Sequence, residues 1–299
     1  MRYVGKSFPN CQTAIFHIII VCIAILQSFP IASAVVYTGG SHSVESSLDD
    51  VIILRSSSKL TLPSGDYTIR SPSGGSDGAA ILLTMSSVLN ATGGDVIGGD
   101  ATKDHPASAG VVVGSASRAS FYEGVTVRGG NHLGRAGAGH EEMLSATNFY
   151  EDVNNGEGGD ALISQYFGSN VTIHGGNFMG GQGSVQNGHS LRASYEAEIH
   201  VFGGTFYGSW LARDHGSIIV NGCLSRIGSR LVGRLQNGHS LDIQVIEDGE
   251  GTVILKTPET CNHYRKSDSD SDSSAARCIG GGYYVFLGVL LLQLRFAFL

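Results

Sequence analysis

The stretch GGNFMG at 175–180 follows directly on the alternating run VTIH at 171–174. The same phrase, Gly-Gly-[Asp/Asn/Thr]-x-[apolar]-Gly, is written as GGDVIG at 93–98, GGNHLG at 129–134 and GGTFYG at 203–208. VTVR at 125–128 and IHVF at 199–202 lead into two of these copies, and the looser VLNAT at 88–92 into the other. Each copy reads as a short strand, a glycine corner, an inward apolar side chain and a second glycine. One such unit cannot bury its own apolar face, so several must stack. The expected fold is an all-β solenoid.

Working outward, the strand signals begin at VIIL (51–54), KLTL (59–62), YTIR (67–70) and ILLT (81–84), with a PSGD turn at 63–66 and a loop at 71–78. They fade after the last phrase into SIIVNG (217–222), LDIQVIED (241–248) and GTVILKT (251–257). Glycine supplies 43 of 299 residues but proline only 6, which suits a tightly cornered β-fold better than a disordered segment. The double glycines are spaced 36, 46 and 28 residues apart. Either loops of different length leave one corner of each coil, or the interval of 46 holds two coils of about 23. Residues 35–50 are expected to cap the N-terminal end, 51–262 to form the solenoid, and 148–160 to be an irregular coil or a loop.

Both ends read as addresses. Arg2 and Lys6, the apolar AIFHIIIVCIAIL at 14–26 and the Ala32-Ser33-Ala34 site make residues 1–34 a helical secretory signal peptide. An uncleaved membrane anchor is the alternative. At the other end a Ser/Asp-rich stem (263–274, with SDSDSDSS at 267–274) precedes Ala275-Ala276, a spacer and the hydrophobic tail YYVFLGVLLLQLRFAFL. Small residues, spacer and terminal apolar tail over 275–299 match a GPI-attachment signal, with Ser274 as the attachment residue. A single transmembrane helix is the competing reading, weakened by Arg295 and the shortness of the tail. Either way the membrane is reached through the C-terminus, and the expected location is the outer face of the plasma membrane or the cell wall.

Removing both ends takes away Arg2, Lys6, Arg277 and Arg295 and no acid, so 15 of the 19 basic residues face 26 acidic ones, a balance of −11. Such a surface repels nucleic acid and anionic lipid. It is compatible with Ca²⁺ binding or with solubility alone. Cys11, Cys22 and Cys278 leave with the ends, and Cys223 and Cys261 remain to pair in an oxidising compartment. Closing that loop is worth on the order of 3–4 kcal/mol if unstrained. Asn90-Ala91-Thr92 and Asn170-Val171-Thr172 are N-glycosylation acceptors.

Chemistry is harder to read. A histidine lies 11–14 residues after each double glycine (His105, His140, His189, His215), and the hexapeptide QNGHSL at 186–191 recurs at 236–241, adding His239. Exact repetition implies one shared structural role. In a solenoid these residues would stack about 4.8 Å apart as a ladder for metal binding or pH sensing, or else be turn residues. The densest knot is Arg213-Asp214-His215 with Phe206, Tyr207 and Trp210 nearby. A glycosidase would need two acids about 5–10 Å apart, and a lyase acids holding Ca²⁺ beside a base. No GxSxG, HExxH, P-loop or CxxC is present, and no helix pattern follows the glycines as a dinucleotide site requires.

The [Val/Ile]-x-[Val/Ile]-x-Gly-Gly units over about 50–257 resemble right-handed parallel β-helix proteins of the pectin-lyase-like superfamily. That resemblance implies a single-stranded right-handed parallel β-helix, and a family of polysaccharide lyases, hydrolases, epimerases and non-catalytic surface proteins. Gly188-His189-Ser190 and Gly238-His239-Ser240 depart from the Gly-His-Gly of the pectin hydrolases at the third position, and Asp214-His215-Gly216 at the first. The partnering Asn-Thr-Asp is absent, so no catalytic residue carries over. The expected function is an anchored surface solenoid with a structural, adhesive or glycan-binding role, its partners being glycans or other surface proteins. The alternative is an anchored lyase, hydrolase or epimerase acting on acidic glycans through Arg213, Asp214, His215, His189 or His239. A membrane receptor built as an antiparallel β-sandwich is a third reading.

Overall fold

A computed structural model of the chain describes residues 34–73, 78–102, 105–132, 157–258 and 261. Residues 1–33 of the expected signal peptide (1–34), His140, the expected stem (263–274) with Ser274, and residues 275–299 lie outside the described residues. So do much of 148–160 and part of 71–78. Every element among the described residues is a β-strand, and no described helix is long and apolar enough to cross a membrane.

The chain winds in coils. The first holds β1 (Ala34–Thr38) and β2 (Ser41–Ser43). The second holds β3 (Val51–Arg55), β4 (Lys59–Leu62) and β5 (Thr68–Arg70), and the third β6 (Ala79–Leu83), β7 (Val88–Ala91) and β8 (Gly94–Ile97). The fourth is β9 (Ala109–Gly114), β10 (Arg118–Phe121) and β11 (Val125–Arg128), and the fifth β12 (Leu162–Gln165), β13 (Asn170–Ile173) and β14 (Asn177–Met179). The sixth is β15 (Leu191–Ser194), β16 (Glu198–Val201) and β17 (Thr205–Tyr207). Then come β18 (Ser209–Arg213) and the long β19 (Ser217–Ile227), a return strand β20 (Arg230–Leu235), and a last coil of β21 (Ser240–Asp248) and β22 (Thr252–Lys256).

Strands at equivalent places in successive coils pair in parallel, which gives three faces. The first face runs β1-β3-β6-β9-β12-β15-β18-β21, the second β2-β4-β7-β10-β13-β16-β19-β22, and the third is five-stranded, β5-β8-β11-β14-β17. Among the described residues antiparallel pairing occurs only where β20 bridges β19 and β21 and joins the first two faces into one seventeen-stranded sheet. This is a parallel β-solenoid, and an antiparallel sandwich is excluded. Cys223 in β19 is bonded to Cys261, with Cα atoms 5.4 Å apart.

The period-2 alternation of each strand points one row of side chains inward, and the rows align rung by rung. Ile52, Ile81, Val111, Leu162, Leu191, Trp210 and Val245 form such a row on the first face. Ile69, Val96, Val127, Phe178 and Phe206 form one on the third. Phe178 stacks on Phe206 at 5.4 Å and meets Phe121 edge-on, so aromatic residues of the second and third faces pack together inside the tube. Each fully buried Leu, Ile or Phe here contributes roughly 1.5–3 kcal/mol.

The three corners differ in kind. From the first to the second face the chain turns through residues in the left-handed region, and these are not glycine. They are Ser56-Ser57, Met85-Ser86, Ser115-Ala116, Tyr166, Tyr195-Glu196 and Asp214-His215, all with φ between 47° and 71°. The turns are hydrogen-bonded to one another along the axis: Ser57 N–H donates to Met85 O (3.0 Å), and Ser86 N–H to Ser115 O (3.1 Å). Left-handed non-glycine residues cost roughly 1–2 kcal/mol each. Met85 is 59% exposed, so Met85→Gly removes strain and loses little packing. After the added chain entropy of glycine, a gain of about 0.5–1 kcal/mol is expected in urea unfolding.

From the second to the third face the turn uses glycine at Gly94, Gly124, Gly176 and Gly204, each with positive φ. From the third face back to the first the connections vary widely: 71–78, 98–108, 129–161, 180–190, and finally Gly208 alone. The uneven spacing thus comes partly from these loops and partly from counting two different corners as one repeat. The interval of 46 is not two coils, because Val127 pairs with Phe178 in adjacent coils.

The register also corrects the repeat. VTVR at 125–128 is a third-face strand, whereas VTIH and IHVF belong to the second face. GGNHLG at 129–134 therefore marks a different corner from GGNFMG and GGTFYG. Gly129 and Gly130 belong instead with Gly99, Gly159, Gly181 and Gly188, which interlock backbone to backbone. Gly130 N–H donates to Ser108 O (2.9 Å), Gly159 N–H to Gly130 O (2.8 Å), Gly181 N–H to Gly159 O (2.7 Å) and Gly188 N–H to Gly181 O (2.9 Å). Double glycine serves two geometric needs in this chain, and the letters are the same for both.

Candidate functional site

The described histidines do not stack. His105 lies in the 98–108 loop, His189 immediately before β15, His215 at the first-to-second-face corner and His239 in the β20–β21 turn. The two copies of QNGHSL have different roles. A Cβ on Gly188 would fall 2.0 Å from Gly159 O, whereas Gly238 has φ +90° and open space around it. Asn187 accepts a hydrogen bond from Gly183 N–H, and Asn237 accepts one from His239 N–H. The ladder expected for metal or pH sensing is therefore overturned. The variable third corner puts residues at similar sequence offsets on different sides of the tube.

Asp214-His215 is one of the six left-handed corners, the place held elsewhere by serine, alanine, methionine, tyrosine and glutamate. Gly216 N–H closes the turn on Arg213 O at 2.8 Å. Arg213 Nε lies 3.4 Å from Asp214, and His215 Nδ1 lies 2.6 Å from Glu250 on the next coil, an exposed pair. The aromatic residues do not gather beside this knot. Trp210 is fully buried inside the tube against Phe206, and Tyr207 is 57% exposed on the third face.

A different constellation assembles on the outer side of the first face. Asp160, at the entry to β12, is 4% exposed; Arg192 Nε pairs with its Oδ2 at 2.6 Å, and His189 N–H donates to its Oδ1 at 2.6 Å. The His189 ring shares a hydrogen bond of 2.6 Å between Nδ1 and Ser209 Oγ at the start of β18. Burial holds His189 below its ordinary value. The Asp160 charge opposes that shift, and the Arg192 and Arg213 guanidiniums reinforce it. Only His189 and Arg213 of this group stand out in the sequence. Asp160, Arg192 and Ser209 were missed, and the one signal for Asp160 was the repeated Gly-Gly-Asp at 98–100 and 158–160. Among the described residues no three His, Cys, Asp or Glu converge to hold a metal ion, so the Ca²⁺ that the acidic balance allows has no cage there.

No family model, curated protein or solved structure matches this chain. The site is read from its geometry alone. Its carboxylate is held by a guanidinium and a backbone N–H, and its imidazole by a hydroxyl. Such an arrangement ties three coils together, β12, β15 and β18, at the variable corner.

The lowered His189 value sets a pH dependence. The unfolded chain takes up a proton near 6.5 and the folded chain only at lower pH, so the unfolded state binds more protons in between. Stability is therefore expected to fall as pH drops below about 6.5. Thermal melts from pH 7.5 to 5 should show that slope, and His189→Gln should flatten it. Glu247, held low by its hydrogen bonds from Arg226, acts in a separate window. Its contribution is present above about 4.5 and is lost in more acid solution.

Proposed function

We propose that the protein is a secreted, C-terminally tethered surface solenoid that offers a long rigid face to glycans or to other surface proteins. The observation that carries this is the position of Asp214-His215 in a turn repeated at every coil, where the residues have a backbone role. In this reading the fold is a right-handed parallel β-helix of the pectin-lyase-like kind. The parallel faces and the strong preference of parallel crossovers for right-handed connections support that hand. The secretory start, the two sequons, the cysteine pair and the small-residue, spacer and apolar-tail pattern support the address.

The test is to express the full chain in eukaryotic cells and treat them with a phosphatidylinositol-specific phospholipase C. Release of intact protein from the cell surface is the expected result. Protein retained in the cytosol, or surface protein that only detergent removes, would contradict the lipid tether.

A second reading, an anchored lyase, hydrolase or epimerase for acidic glycans, draws on one observation. Arg192, Arg213 and a neutral His189 meet on the outside of the first face, where cations and a base could meet a uronate. It is weaker because Asp160 already engages Arg192 and Asp214 already engages Arg213.

A further inference from the structure

The three faces differ in what they present outward. The inward residues of the second face are Leu60, Leu89, Ala119, Val171, Ile199 and Ile218, aligned by register. Their neighbours along each strand point out, and among these are both sequon asparagines. Asn90 in β7 is flanked across the sheet by Thr61 and Ser120, and Asn170 in β13 by Arg118 and Glu198. The two lie two rungs and two residues apart, so their attachment points are separated by roughly 12 Å.

These side chains stand apart from most other asparagines. Asn131, Asn187, Asn221 and Asn237 each make a side-chain hydrogen bond to the protein. Asn90 and Asn170 make none, although each is half-buried on a sheet surface. Neither side chain has a hydrogen bond that a linked sugar would disrupt, and the residues flanking Asn90, Thr61 and Ser120, are small. The first face is unlike this one. Its outward row is Val36, Ile53, Leu82, Val112, Ile163, Arg192, Leu211 and Ile246, and it carries no sequon.

We infer that Asn90 and Asn170 are both N-glycosylated, so that both glycans stand on the outer side of the second face. The inference rests on the secretory reading above. Asn90 and Asn170 lie within parallel ladders whose backbone groups are bonded to neighbouring coils, so the sequons enter a transferase before those coils close. Glycosylation therefore precedes folding, and an already folded, unglycosylated chain is a poor acceptor.

The test is peptide mass spectrometry on protein from eukaryotic cells, after enzymatic removal of N-glycans in heavy-oxygen water. Labelled aspartate at both 90 and 170 is expected. Thr172→Ala should abolish the label at 170 while Thr172→Ser keeps it, which separates acceptor chemistry from any effect on folding. Protein that reaches the surface with either asparagine unlabelled would overturn the inference and leave the secretory reading standing. Unlabelled protein retained in the cytosol would overturn both.

Discussion

Gly181→Ala is expected to lower unfolding stability by at least about 3 kcal/mol, enough to deplete the folded protein on expression. A Cβ at this position would lie 1.8 Å from Gly130 O and 2.6 Å from Gly130 C. Real atoms do not approach so closely, and no flexible side chain is available to move. The obstacle is backbone, and that backbone is fixed in turn. Gly181 N–H donates to Gly159 O at 2.7 Å, and a Cβ on Gly130 would itself strike Gly99 O at 1.9 Å. Relief at one position would thus disturb the neighbouring coils. Gly228→Ala is the control: its φ is +60°, but nothing lies within 4 Å, so only the left-handed cost of roughly 1–2 kcal/mol applies. Urea midpoints for the two variants should differ clearly. Equal midpoints would mean that the glycines do not pack backbone to backbone.

Asp160→Ala is expected to cost about 3 kcal/mol. It removes a buried carboxylate and leaves the Arg192 guanidinium without its counter-charge and the His189 N–H without its acceptor. Since Asp160 is the one charge that raises the His189 value, its loss should also push that value lower, observable as a titration midpoint at lower pH by NMR. The double variant Asp160→Ala/Arg192→Leu should recover part of the lost stability. Arg192 pairs in register with Ile163 on one side and Leu211 on the other, so a leucine would complete an aliphatic row. If the double variant is as unstable as the sum of two single losses, the pair is not coupled as described.

The alternation of Val, Ile and Thr made the strands and their stacking legible, because burying every second residue of a parallel rung demands that pattern. Loops at one corner were legible too, from the uneven glycine spacing. What was not legible was which face each strand occupies. Inward apolar and outward polar residues alternate in the same way on the second and third faces, so VTVR at 125–128 looked equivalent to VTIH at 171–174. Only the pairing of Val127 with Phe178 separates them. The constellation around Asp160 was illegible for a related reason. Asp160, His189, Arg192 and Ser209 come from three coils, brought together by a register that intervening loops of very different length conceal. Asp214 and His215 looked chemical because they are charged or titratable neighbours. The backbone shows the use to which they are put.

The most direct test of the central claim is a turnover measurement on acidic polysaccharides of the pectin and alginate types, with the wild type and with Asp214→Ala and His215→Ala. None of the three is expected to yield new chain ends or unsaturated products, and all three should be retained equally on the immobilised glycans. Product formed by the wild type and lost in either variant would contradict the claim.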